Sequence, residues 1–244
     1  MLKFEKLQVP SGTFYDAEDC HLLELMCQHK FIEWRESTFK LNSGIESHVY
    51  VFGREDTTDN PELEWMIGRK TALTIKAVPW PDKKQICLIG IPTAGTAIAQ
   101  AAAMVNWQEK IHVNERPICH RIMREVQKKG HGDKAHQENW VNGKPNTSRH
   151  TYIDTDNVVT NADSKFKARK RFEANDYPVE TMPSLIFVDR QQGGVQLMKE
   201  FGFKQIIIVY KLLDLTFAFG EMELWPKNAV KQVEEEIKAH QFHS

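Results

Sequence analysis

A chain of 244 residues with 41% hydrophobic side chains can bury one large core or a core with an added subdomain, and 27% charged residues is ordinary for a water-soluble fold. The 32 basic and 33 acidic residues leave a net charge of −1, which excludes a general electrostatic pull toward nucleic acid or an acidic membrane. No apolar run reaches the roughly 20 residues of a membrane span, and the opening "MLKFEKLQVPSG" has no apolar secretory core.

Cys20, Cys27, Cys87 and Cys119 form no CxxC pair, and a helix would hold Cys20 and Cys27 on one face but too far apart to bond. Reduced thiols in a cytoplasmic setting are the expectation. Asp16 is a candidate N-cap for a helix from there to Phe31, whose Leu22, Leu23, Leu25 and Met26 recur at helical spacing. "FKLNSGIESHVYVFGRE" reads as short strands around a Ser-Gly turn. "NPELEWMIGRKTALTIKAV" reads as a second helix with Pro61 in its first turn.

After Gln85 short apolar runs alternate with helical segments. "QICLIGI" leads into an Ala-rich helix over Ala94–Val105, and "ICHRI", "TYID", "SLIFVD" and "QIIIVYK" follow. This alternation predicts an α/β fold: a doubly wound, mainly parallel sheet of about five strands with helices on both faces. Ligands in such sheets bind beyond the carboxyl ends of the strands, so the loops after Ile89, Ile122, Ile153 and Val188 are the places to look. Arg124 to Arg149 is one long polar connection, the kind of segment that serves as an active-site lid or as a surface insertion. No repeat or compositional break marks a second domain, and the whole of 1–244 reads as one unit.

Five local patterns carry further information through their order. "FKLNSGIESHVY" presents Phe39, Leu41, Ser43, Gly44, Ser47 and Tyr50. "GIPTAGTAIAQAAA" follows the first strand of the sheet, and "KKGHG" lies in the long connection. "DNVVTNADS" comes next, then "VDRQQGG". Together, over roughly residues 15 to 220, they resemble the orotate phosphoribosyltransferases, type I phosphoribosyltransferases of pyrimidine nucleotide (UMP) biosynthesis.

That resemblance implies a division into an N-terminal hood and helix over about 1–60, a core over about 61–220 and a C-terminal helix over 221–244. It implies transfer of a phosphoribosyl group from phosphoribosyl pyrophosphate to orotate, with Mg²⁺ carried by the pyrophosphate donor and a homodimer whose lid crosses between subunits. No role in nucleic-acid or membrane binding follows from it. Lys128, Lys129 and His131 would close over the departing pyrophosphate, and Asp156 would hold the ribose hydroxyls. Ser43, Gly44, Thr160 and Arg190 would form the base site, with Arg190 facing the orotate carboxylate. Thr93, Ala94 and Gly95 would wrap the pyrophosphate. Asn161, Ala162, Asp163 and Ser164 would form the 5′-phosphate loop at a helix N-terminus. Without that role, Arg190 would simply pair with Asp189 at a strand end.

The phosphate loop departs from the family's pattern. Asn157 stands in place of a second acid, and Asn161-Ala162-Asp163 stands where the family has Thr-Gly-Gly or its like. Ala162 can follow a glycine's path only if the loop stays in an ordinary backbone region. Asp163 would repel a phosphate unless it caps the next helix and turns outward. The run Lys165, Lys167, Arg169, Lys170 and Arg171 reads as a solvated helix face, from which one cation could offset Asp163. Three functions therefore remain: an orotate phosphoribosyltransferase, a noncatalytic homologue that binds a pyrimidine or a protein partner as a regulator, and a transferase acting on another base.

Overall fold

The computed structural model describes residues 5–41, 43–53, 55–127 and 140–240. Five strands form the central sheet: β5 (Gln85–Gly90), β6 (Cys119–Ile122), β7 (His150–Val159), β8 (Ser184–Asp189) and β9 (Ile206–Lys211). Their order is β6-β5-β7-β8-β9, and every neighbouring pair is parallel. The expected α/β architecture is what the chain adopts.

Alternation along each strand explains how both faces are covered. Ile86 and Leu88 of β5 pack with α3 (Pro61–Ala77) and α4 (Ala94–Gln108) through Ala72, Ile75, Ala99 and Ala102. Cys87 and Ile89, pointing the other way, meet Ala168 and Phe172 of α5 (Asp163–Glu173). Ile186 of β8 shares that second face with Met198 of α6 (Gly194–Glu200). Strands buried on both sides read as apolar runs, and β8, buried at every position, is apolar from Leu185 to Val188.

The N-terminal part forms as its sequence signals require. Asp16 accepts hydrogen bonds from the N–H groups of Glu18 and Asp19, capping α1 (Ala17–Gln28). Before it stands a small antiparallel pair, β1 (Lys6–Gln8) and β2 (Phe14–Asp16). β3 (Ile32–Lys40) and β4 (Glu46–Val51) make an antiparallel hairpin with a register shift between Trp34 and Phe39. Its turn needs Gly44, whose φ of +85° is open to glycine at little cost. One-turn α2 (Glu55–Thr58) leads into α3. The chain continues after β9 into α7 (Leu212–Glu221) and α8 (Lys227–Ala239). Their apolar sides join α1 and β4 in one core cluster through Leu215, Phe219, Val233, Leu23 and Val49. Cys20, Cys27, Cys87 and Cys119 are all free thiols. Among the described residues no helix is long and apolar enough to cross a membrane.

Candidate active site

At its carboxyl end β7 turns through Thr160, Asn161 and Ala162 into α5. Ala162 adopts φ 64° and ψ 10°, the left-handed conformation that glycine favours. The ordinary backbone region expected for an alanine here is therefore not what forms. Such a conformation costs an L-residue roughly 1–2 kcal/mol. Burial of the Ala162 methyl among Val159, Ile186, Met198 and Phe203 works against that cost. The loop keeps a glycine's path without the glycine.

This loop opens on a cleft beyond the strand ends. One lobe, of about 350 Å³, is lined by Ser43, Tyr50, Thr160, Asp163, Lys167 and Arg190 among others. A second lobe of about 190 Å³ is lined by Pro92, Thr93, Ala94, Asp156 and Asn157. The lobes share Tyr50, Val51, Val158 and Ser164, so they are continuous. Tyr50 belongs to a small aromatic stack, with its ring 4.3 Å from Phe52 and 5.4 Å from Phe39. Ser43 Oγ is buried and has no hydrogen-bond partner among the described residues.

The sequence-derived candidates divide by position. Ser43, Thr160, Arg190, Asn161, Ala162, Asp163 and Ser164 line the larger lobe, and Thr93, Ala94 and Asp156 the smaller. Gly44 and Gly95 line neither. Gly95 serves close packing instead, because a Cβ there would lie 2.1 Å from the carbonyl oxygen of Thr155. Lys128, Lys129 and His131 lie outside the described residues. What is described of the long connection is its stem, where Met123 bridges Val141 and the Arg124 N–H donates to the Trp140 carbonyl.

Charge at the floor of the cleft is held internally. Asp156 is buried; its Oδ1 accepts from the Asn157 N–H at 3.0 Å and its Oδ2 from Ser164 Oγ at 3.2 Å. Lys165 Nζ lies 3.3 Å from the same Oδ2 and 3.6 Å from Asp154. Lys165 is 1% exposed, so this cation is not part of the solvated face expected of its run. Burial pushes the Asp154 carboxyl upward, opposed by Lys165 and by the Ser184 hydroxyl that donates to it at 2.6 Å. Asn157 donates its amide to the Phe52 carbonyl at 2.9 Å and ties the floor to the end of β4.

Asp163 opens the first turn of α5 but does not cap it. The N-cap position is Ala162, without a side-chain hydrogen bond, and the Asp163 carboxylate accepts from Asn161 Nδ2 at 2.9 Å. Asp163 therefore stays on the cleft wall, exposed, with Lys167 in the same lobe.

Arg190 is held from four directions. Its Nε donates to Gln192 Oε1 at 3.0 Å, Nη1 to the Val49 carbonyl at 3.0 Å, and Nη2 to Ser47 Oγ at 2.6 Å and Glu236 Oε1 at 3.2 Å. Its carboxylate partner is Glu236 of α8, not Asp189, whose Oδ1 instead accepts from the Gln191 N–H. Burial pushes the guanidinium pKa down, and Glu236 pulls it back up.

Both oxygens of Asp156 are engaged, Asn157 brings no charge, and among the described residues no three His, Cys, Asp or Glu side chains gather to hold an ion. The resemblance places the Mg²⁺ it implies on the phosphates of the donor.

Comparison with solved structures places this architecture. The UMP synthase of Leishmania donovani matches with a TM-score of 0.69 and 15% identity, over 90% of this chain and 42% of that one. The orotate phosphoribosyltransferase of Francisella tularensis matches at 0.64 and 13%, over 90% of this chain and 98% of that one. That of Aeropyrum pernix matches at 0.56 and 20%, over 82% and 98%. The fold is that of the type I phosphoribosyltransferases. This chain spans less than half of the UMP synthase it matches. No protein-family model and no curated protein matches the sequence. On the phosphoribosyltransferase fold, the cleft between β7, β8 and the β3–β4 hairpin sits where open α/β sheets bind ligands.

Proposed function

We propose that this protein transfers a phosphoribosyl group from phosphoribosyl pyrophosphate to a ring nitrogen of a pyrimidine base. One observation carries the reading: the β7–α5 loop, Asp156, the Thr93–Ala94 turn, Tyr50 and Arg190 converge on one continuous cleft beyond a parallel sheet of this fold. Backbone N–H groups at the start of α5 would receive the 5′-phosphate, favoured by the positive end of the helix. Asp156, held in place by Ser164, would accept hydrogen bonds from the ribose hydroxyls. Tyr50 offers the base a ring to stack on, and Ser43 Oγ offers it an unused donor and acceptor. Lys128, Lys129 and His131 would meet the developing charge of the departing pyrophosphate, as a lid that also excludes water. Orotate is the acceptor that the sequence motifs imply, and Arg190 is the residue on which that choice turns. The assembly we propose is a homodimer in a reducing, cytoplasmic setting.

A second reading, a noncatalytic homologue that binds a pyrimidine or a protein partner, draws on Asp163 standing in the phosphate lobe and on Asp156 being committed to Lys165. Calorimetric titration with phosphoribosyl pyrophosphate, followed by an assay of pyrophosphate release with a base present, separates the two. Donor binding with release supports the transferase. Absence of donor binding sinks it in favour of the second reading.

A further inference from the structure

Glu236 sits at 8% exposure on α8, far in sequence from every motif, and reaches the rear of the base lobe. Its Oε2 accepts from the His48 N–H at 2.9 Å, and its Oε1 accepts from Gln192 Nε2 at 3.1 Å as well as from Arg190. Both oxygens are therefore satisfied. A guanidinium has five N–H donors, and the four bonds that Arg190 makes among the described residues leave a single N–H, on Nη1. Arg190 still lines the lobe beside Ser43 and Thr160, but as one half of a neutral pair.

A carboxylate arriving on a base has two options here. It can displace Glu236, which strands a buried carboxylate without its cation, or it can settle against the pair with one N–H to meet it and a like charge close behind. Neither supplies the two-pronged contact that an arginine gives a free carboxylate. An uncharged ring meets no such obstacle. Its carbonyl or ring N–H groups match the unused Ser43 hydroxyl and the remaining Arg190 N–H.

We infer that Glu236 is a specificity-determining residue that fills the carboxylate place on Arg190 from within, so that the acceptor is an uncharged pyrimidine rather than one bearing a carboxylate. This rests on the transferase reading of the cleft and narrows its pyrimidine acceptors to those without a carboxylate, in place of the orotate that the sequence motifs imply. The test is calorimetric titration of the full chain, preloaded with phosphoribosyl pyrophosphate, with uracil and with orotate, repeated on Glu236→Gln and Glu236→Ala. The expected result is that the natural chain binds uracil at least about tenfold tighter than orotate, and that the preference shrinks by about tenfold or reverses in a folded Glu236 variant. Natural chain that binds orotate as tightly as uracil overturns the inference alone, and does so even if neither variant folds. A folded variant with an unchanged preference overturns it too. Failure of phosphoribosyl pyrophosphate itself to bind overturns the transferase reading, and this inference with it.

Discussion

The ammonium of Lys165 lies 3.3 Å from the carboxylate of Asp156, both groups inside the protein beneath the β7–α5 loop. With Asp154 on the same face of β7, one buried cation serves two buried carboxylates. Replacing one member of such a set by an apolar side chain costs about 3–5 kcal/mol, because the charges left behind have no water to return to.

Lys165→Met should therefore lower the urea-unfolding free energy by about 3–5 kcal/mol at neutral pH. The deficit should shrink as pH falls toward the carboxylate range. Burial already raises the Asp154 carboxyl above its ordinary value, so the folded form takes up its proton at a higher pH than the unfolded chain. In the variant, stability then rises as pH falls through the raised folded value toward the unfolded one. A deficit that stays constant between pH 7 and pH 4 would show that the charges are not coupled in this way.

Arg190→Ala should act first on stability. It strands Glu236 at 8% exposure and removes the bonds to Ser47 and Val49, for a loss of about 3–5 kcal/mol. Replacing both partners together, Arg190→Met with Glu236→Leu, should recover most of that loss, since an apolar pair leaves no buried charge. Thermal melts of the single and double variants decide it; a double variant no more stable than Arg190→Ala would mean that the pair is not the source of the loss.

The sheet was legible because short continuous apolar runs, Pro and Gly breaks and an Ala-rich helix are local signals, and each run lies within a strand or overlaps one. The cleft-lining loops were legible through motif order. What could not be read was the pairing behind them. Glu236 falls at helical spacing with Ala229, Val233 and Ile237 on the buried stripe of α8, which separates it from Glu234 and Glu235, but nothing in linear sequence says that its partner there is Arg190. Lys165 looked solvated because it heads a basic run, although its place at the first turn of α5 aims it under β7. Ala162 was expected to follow a glycine's path only in an ordinary backbone region, because the apolar pocket that holds its methyl is assembled from β8 and α6, far along the chain.

Gly95→Ala tests the join between α4 and β7. The new Cβ would meet the Thr155 carbonyl, which also accepts from the Ile91 N–H at 2.8 Å at the root of the Thr93–Ala94 turn. Overpacking against backbone should cost about 1–3 kcal/mol in urea unfolding. It should also weaken any phosphate ligand held in the smaller lobe. A variant of natural stability would mean that the helix yields freely there.

Cys87 and Cys119 stand opposite one another on β5 and β6. The neighbouring Cys87 thiol and the Arg121 guanidinium hold the Cys119 pKa below the ordinary thiol value, while burial pushes Cys27 up to about 12. The thiolate is the reactive form, so iodoacetamide labelling of the half-buried Cys119 should rise as pH climbs through neutrality, while Cys27 stays unlabelled across that range. Peptide mass spectrometry reads both sites. Equal labelling of Cys27 and Cys119 at neutral pH would contradict the assignment.

Asp163 gives the most direct test of the phosphate-binding role proposed for the β7–α5 loop. Its carboxylate stays on the cleft wall, tied to Asn161 Nδ2 at 2.9 Å, and it caps no helix, so its removal costs α5 no cap. A carboxylate and a phosphate oxygen at about 4 Å repel by about 1 kcal/mol in water and more where solvent is excluded. Asp163→Gly should therefore tighten phosphoribosyl pyrophosphate binding by about 1–2 kcal/mol in low salt, with the gain falling as ionic strength rises. Asp163→Asn should give most of the same gain, since it removes the charge and keeps the shape, and that separates electrostatics from backbone freedom. Tighter binding by the glycine variant alone would assign the effect to the backbone. Unchanged binding in both would place the phosphate beyond the reach of Asp163.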